Sequence, residues 1–114
     1  MAEWKKIEAD QFNESPFRMI GREWMLVTAE KEGKVNAMTA SWGGMGVMWG
    51  KNVAFVVIRP TRYTKEFIDA SETFSLAFLP EKYRKQLSYF GTVSGRDEDK
   101  IQKAQFSVSH EGVT

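Results

Sequence analysis

The sequence predicts one mainly β domain with a few short helices, and three segments carry that prediction. Residues 23–41 read as two apolar runs around a charged turn containing a glycine. Residues 52–58 (Asn-Val-Ala-Phe-Val-Val-Ile) form a nearly unbroken β-branched and aromatic run, and residues 73–79 alternate large apolar with small or polar side chains. At 114 residues the chain buries enough surface for one core and not for two, so residues 1–114 are read as a single domain.

Taken in order, the first 20 residues mix charge with Trp4, Ile7, Phe12 and Phe17, and Ser15-Pro16 interrupts any long helix there. A strand over 23–29, a turn at 30–34 with Gly33 free to take positive φ, and a returning strand over 35–41 make a β-hairpin. Residues 42–50 (Trp-Gly-Gly-Met-Gly-Val-Met-Trp-Gly) are too glycine-rich for a helix and too aromatic for an ordinary solvent loop, which predicts a tight turn with packed rings. The run 52–58 reads as a strand covered on both faces and ended by Arg59-Pro60. Thr61 is placed to cap a helix through Ala70 that puts Tyr63, Phe67 and Ile68 on one side. After the strand at 73–79, Pro80 opens a helix over 81–90 with Tyr83, Leu87 and Phe90 aligned and Gly91 at its C-terminal cap. Ser94 to Asp97 has the spacing of a capping box, which predicts a last helix over 97–105.

Composition removes several function classes. Sixteen basic against 15 acidic side chains give a formal charge of +1, without the cationic excess of a dedicated nucleic-acid binder. The absence of cysteine excludes disulfides, thiolate nucleophiles and cysteine-held clusters, so any redox chemistry has to come from a cofactor. No apolar run approaches the ~20 residues of a membrane span, and the reading is a cytoplasmic protein with no membrane partner. One histidine, His110, leaves no triad for acyl transfer and no set of metal donors. Asp97, Glu98 and Asp99 lack the spacing and glycine of a calcium loop and are placed to favour a helix N-terminus.

The glycines at 43, 44, 46 and 50 match neither the dinucleotide fingerprint nor the Walker pattern. Residues 59–65 (Arg-Pro-Thr-Arg-Tyr-Thr-Lys) are more specific, with three cations, three hydroxyls and a helix start directly after a strand. Two readings stand at this point: a phosphate seat built from helix N–H groups, hydroxyls and a guanidinium fork, or a solvated basic face.

Three segments, residues 36–44 (Asn-Ala-Met-Thr-Ala-Ser-Trp-Gly-Gly), 59–64 and 94–100 (Ser-Gly-Arg-Asp-Glu-Asp-Lys), together resemble flavoredoxin-like members of the flavin reductase family over roughly residues 15–114. The resemblance implies a Greek-key split β-barrel that binds FMN and dimerises, taking hydride from NADH or NADPH and passing electrons to an acceptor. It implies that Asn36, Ala37, Met38, Thr39, Ala40, Ser41 and Trp42 run along the flavin, largely through backbone groups. It further implies that Arg59, Tyr63 and Thr64 lie on the phosphate side of the site, with Arg62, Lys65 and Lys100 as the next candidates there, and that residues 94–100, Ser94 and Lys100 among them, form a loop closing near the cofactor. No catalytic acid or base and no metal ligand is expected, because flavin carries the redox step itself. Family members continue beyond the equivalent of Thr114, so the strands that complete the barrel are expected outside these residues. The competing expectation is a flavin-binding electron carrier without nicotinamide turnover, or a scaffold that holds no cofactor.

Overall fold

In the computed structural model, residues 7–96, 99–104 and 106 are described. Strands β1 (Met25–Lys31), β2 (Lys34–Ala40) and β5 (Ser75–Ala77) form an antiparallel sheet in the order β2-β1-β5, while β3 (Gly43–Met48) and β4 (Lys51–Val56) form a separate hairpin. Among the described residues four α-helical segments accompany them, α1 (Pro16–Arg18), α2 (Tyr63–Ala70), α3 (Arg84–Thr92) and α4 (Lys100–Lys103), besides three short turns of other helix types at Ala9–Gln11, Met19–Glu23 and Glu81–Tyr83. The mainly β class with short helices is therefore observed.

Both hairpins close with two residues at positive φ, Glu32 and Gly33 at +52° and +79°, Trp49 and Gly50 at +53° and +74°. That is the turn whose twist matches antiparallel strands, and it sets the register Met25 opposite Ala40 through Lys31 opposite Lys34. The alternation of β1 and β2 then divides the core between the faces of the sheet. On one face Met25, Val27, Met38 and Ala40 pack with Ile20 and, from the hairpin side, Val56 and Ile58. On the other, Leu26 and Ala37 receive Leu87 and Phe90 of α3. Leu76 and Phe78 join the first cluster and Ala77 and Leu79 the second, as the period-two reading of 73–79 requires, whereas Phe74 is left exposed.

The structure corrects several local expectations. Residues 42–50 are not one turn but strand β3 plus the Trp49-Gly50 turn, because alternate small residues let β3 lie flat against β4. Their rings are not packed: Trp42 is 72% and Trp49 93% exposed. The run 52–58 is not covered on both faces: Val53, Val56 and Ile58 are half-buried, the last two against the core, and the other four residues are exposed. Helix α2 starts at Tyr63 with Arg62, not Thr61, as its N-cap and no side-chain cap. Gly91 lies inside α3, where a Cβ would come 3.4 Å from that of Thr39, and Val93 is the C-cap. The Ser94 hydroxyl accepts from the Arg96 N–H in a local turn, and the last helix is capped by Asp99, whose carboxylate accepts from the Gln102 N–H at 3.2 Å. Asp97, Glu98, Gln105 and His110, like Trp4, lie outside the described residues.

Candidate functional site

The site grows from the outer edge of the three-stranded sheet, where among the described residues β2 has β1 on one side only. Helix α2 comes to one face of β2 and α3 to the other, so the start of α2 and the end of α3 meet around this edge. Asn36, 5% exposed, donates from Nδ2 to Thr64 Oγ1 at 2.8 Å, and Thr64 is itself buried. A buried amide facing a buried hydroxyl fixes the first turn of α2 to the strand. Tyr63 packs edge-on against Phe67, and its hydroxyl accepts from Lys34 Nζ at 3.3 Å. Gly95 closes over this pair: a Cβ there would sit 2.0 Å from Asn36 Oδ1 and 3.0 Å from the Tyr63 ring.

The second half is cationic. Lys100 is 3% exposed, and its ammonium donates to the Phe90 carbonyl at 3.1 Å. Arg62 Nη2 donates to the same carbonyl at 3.3 Å. The end of a helix attracts cations, which accounts for one bond from each. It does not account for the rest, because an ammonium carries three donors and a guanidinium five. Among the described residues no ion pair reaches Arg59, Arg62 or Lys100. The strain shows in their protonation: burial first, and Arg62 second, push the Lys100 ammonium down to about 8. Burial and then Arg59 lower Arg62 from its ordinary value. Three like charges are thus gathered at the uncapped start of an eight-residue helix, with the innermost one costly to keep charged.

Of the residues expected from the sequence, Asn36, Tyr63 and Thr64 form one connected group and Arg62 and Lys100 another, with Arg59 exposed beside them. Ala37, Met38 and Ala40 are buried core side chains, so their backbone alone is available to a ligand. Thr39 donates its hydroxyl to the Leu87 carbonyl. Ser94 is half-buried and engaged in its own turn. Ser41 and Trp42 lie past the far end of β2, about 15–20 Å along the chain from Asn36 at strand spacing, so only an elongated ligand spans both ends. Lys34, Gly95 and Arg96 are not among the individual residues expected of the site, although Gly95 and Arg96 lie in the loop 94–100 expected to close near the cofactor. Arg96 ties the loop to α2 by pairing with Glu66, with its guanidinium 4.8 Å from the Tyr63 ring centre. The Ser-Gly-Arg triplet was the available signal for two of them.

A cavity of about 700 Å³ opens next to this group, with Lys34, Asn36, Arg96, Asp99, Lys100 and Phe106 in its wall. A buried ammonium with one hydrogen bond among the described residues, two further cations and a helix start without a side-chain cap fit a phosphomonoester. Among the described residues no cluster of acidic or imidazole side chains is arranged to hold a metal ion, and no helix is long and apolar enough to cross a membrane.

Comparison with solved structures places this geometry. The fold matches an FMN-binding domain of a flavin reductase-like enzyme from Shewanella baltica OS155 with a TM-score of 0.73 at 21% identity, over 87% of this chain and 52% of that one. A flavoredoxin from Methanosarcina acetivorans aligns at 30% identity and a TM-score of 0.63, over 87% and 50%. An FMN-binding protein from Thermus thermophilus aligns at 24% and 0.66, over 90% and 55%. The chain spans about half the length of these structures, and the fold is that part of their split barrel. No curated protein sequence matches it. Residues 17–114 match the family model of the flavin reductase like domain, and the chain belongs to that family.

Proposed function

We propose that the chain binds FMN without a covalent bond and serves a flavin reductase-like oxidoreductase that takes hydride from NADH or NADPH and hands electrons to an acceptor. The observation that supports it best is the convergence of Arg59, Arg62 and Lys100, unpaired by any carboxylate among the described residues, at the uncapped start of α2.

In this reading Arg62 and Lys100 hold the phosphate from the inside and Arg59 from the solvent side, while the first-turn N–H groups of α2 point at it. Asn36 and Thr64 keep that turn in place against β2. Ala37 to Ser41 offer backbone groups along the strand edge, and Trp42 an exposed ring at its end. FMN, when bound, supplies the two-electron chemistry that no side chain here can supply. The chain's task is then to bind, orient and keep the phosphate charge compensated.

The same reading includes a homodimer in a cytoplasmic setting. Val47, Met48, Trp49, Phe55 and Val57 are all more than half exposed on or beside one hairpin, an apolar surface of the kind that partners cover.

The test is anaerobic titration of the flavin-loaded protein with each nicotinamide. Loss of the bound flavin's visible absorbance is the expected result. A flavin that binds and stays oxidised under excess of both donors overturns the reductase reading in favour of a carrier, and a protein that takes up no FMN overturns both.

A further inference from the structure

A second cavity, of about 680 Å³, shares no wall residue with the candidate site. It is bounded by the N-terminal segment, the β3–β4 hairpin and β5, which lies on the opposite side of β1 from the β2 edge. Phe12, Met19, Met45, Ala54, Leu76 and Phe78 make its wall apolar, and Glu14 is the one charged side chain among the described wall residues.

The same chain carries an apolar knob. At the tip of the hairpin Val47, Met48 and Trp49 are 73%, 61% and 93% exposed. Trp49 holds the first turn position at φ +53°, where Asn, Asp or Gly is the ordinary occupant because a Cβ is disfavoured there. A bulky ring kept at a sterically disfavoured and almost fully solvated position adds no packing to the monomer, so its burial has to come from a partner.

We infer that the cavity receives the hairpin tip of a second copy of this chain, with Trp49 as the inserted ring and the two insertions reciprocal. This deepens the homodimer reading above and is independent of the flavin chemistry. Knob and hole lie on one hairpin, because Met45 in the cavity wall precedes Trp49 by four residues, about 13 Å along the strand. Two hairpins laid antiparallel about a two-fold axis and overlapping by that length set each tip at the other's cavity. Such a contact is self-complementary, so it closes as a dimer and does not grow into a filament. The overlap also brings Lys51, beside the tip and without an ion pair among the described residues, toward the Glu14 carboxylate of the other copy. Two insertions, each covering roughly 400 Å² of tip and a smaller area of cavity wall, come to about 1,200 Å², the lower end of the range for specific interfaces.

The experiment is sedimentation and native mass spectrometry of the full chain, with and without FMN, on the wild type, on Trp49→Ala, which removes the knob, on Ala54→Trp, which plugs the hole, and on an equimolar mixture of the two variants. Ala54 is exposed on the cavity wall, so the larger ring fills the cavity without entering the core. Ala9→Trp plugs the cavity from its N-terminal wall and is expected to act in the same way. The wild type is expected to be a dimer, and each variant to associate about a hundredfold more weakly with an unchanged circular dichroism spectrum. The mixture should form a heterodimer about tenfold or more tightly than either variant forms its homodimer, because there alone an intact tip faces an open cavity. That rescue also shows that both variants are folded. A monomeric wild type overturns the homodimer and this inference together. A wild-type dimer that both plugs leave equally tight overturns this inference alone and gives the cavity to another occupant, as does a mixture that associates no better than its components.

Discussion

Replacing Lys100 by methionine separates a binding cation from a structural one. A shift from the ordinary 10.5 to about 8 corresponds to a cost on the order of 3 kcal/mol for keeping the buried ammonium charged at neutral pH. Methionine keeps most of the stem's volume, and the Phe90 carbonyl retains its bond from Arg62. Deducting about 1 kcal/mol for the lost hydrogen bond leaves the apoprotein roughly 1–2 kcal/mol more stable, a rise in Tm of several degrees for a domain of this size. FMN affinity moves the other way, by about tenfold to a hundredfold, while riboflavin, which lacks the phosphate, is held as before.

The pH dependence follows from the same group. Between about 8 and 10.5 the unfolded chain holds a proton on Lys100 that the folded apoprotein has released, so the wild-type apoprotein gains stability relative to the variant as pH rises through that window. Below 8 both states are protonated and the difference is constant. A bound phosphate favours the charged ammonium, so FMN binding takes up a proton above pH 8 and its affinity falls there, by up to about tenfold per unit. Calorimetric melting of the apoproteins and fluorescence titration of FMN and riboflavin at pH 7 and pH 9 measure all four quantities. A variant that melts lower than the wild type and binds FMN equally well refutes the reasoning, and assigns Lys100 to capping α3.

Two further outcomes are expected. Gly95→Ala places a methyl 2.0 Å from Asn36 Oδ1, so the loop lifts from β2 and denaturant melts should show a loss of roughly 1–3 kcal/mol together with weakened FMN binding; wild-type stability would mean that the loop is not packed there. Light scattering of the FMN-loaded protein should give about twice the 13.1 kDa chain mass, and Trp49→Glu, at a position 93% exposed, should give monomers with an unchanged circular dichroism spectrum; a monomeric loaded wild type would remove the dimer.

The hairpin of β1 and β2 was legible because every level of the chain agrees on it: apolar alternation, a glycine at the second turn position, and a charged residue at the first. The hairpin of β3 and β4 was half legible. The run 52–58 signalled a strand, but its partner is written in glycine and methionine, residues with no β preference, and its register comes from the Trp49-Gly50 turn rather than from its pattern. Expecting both faces of β4 to be covered treated apolar composition as burial, yet composition records what a strand can be packed against, and of β4 only Val53 and Val56 are half-buried. Helix ends failed for a related reason. Thr61, Gly91 and Ser94 are good cap residues by type, but the ends fall elsewhere: Arg62 reaches across to α3, Gly91 sits inside α3 where a side chain would meet Thr39, and Ser94 serves a local turn with Arg96.

At the candidate site the same distinction decides what could be read. The residue types of a phosphate seat were visible in 59–65, since guanidiniums and hydroxyls at a helix start are a local pattern. Lys100 is 38 positions from Arg62, and nothing local says that both ammonium and guanidinium end on the Phe90 carbonyl. Only the family resemblance linked them, and only the fold gives the physical consequence, three cations whose mutual repulsion an anion would relieve. Lys34 was invisible for the converse reason: as a turn-flanking lysine it looks like any solvated charge, and its placement beside Tyr63 depends on the 29-residue crossing from β2 to α2. Local chemistry identifies which groups a site can use. The long-range contacts that make a group expensive, as burial makes Lys100, identify which ones it does use, and that is why the stability and affinity of Lys100→Met are expected to move in opposite directions.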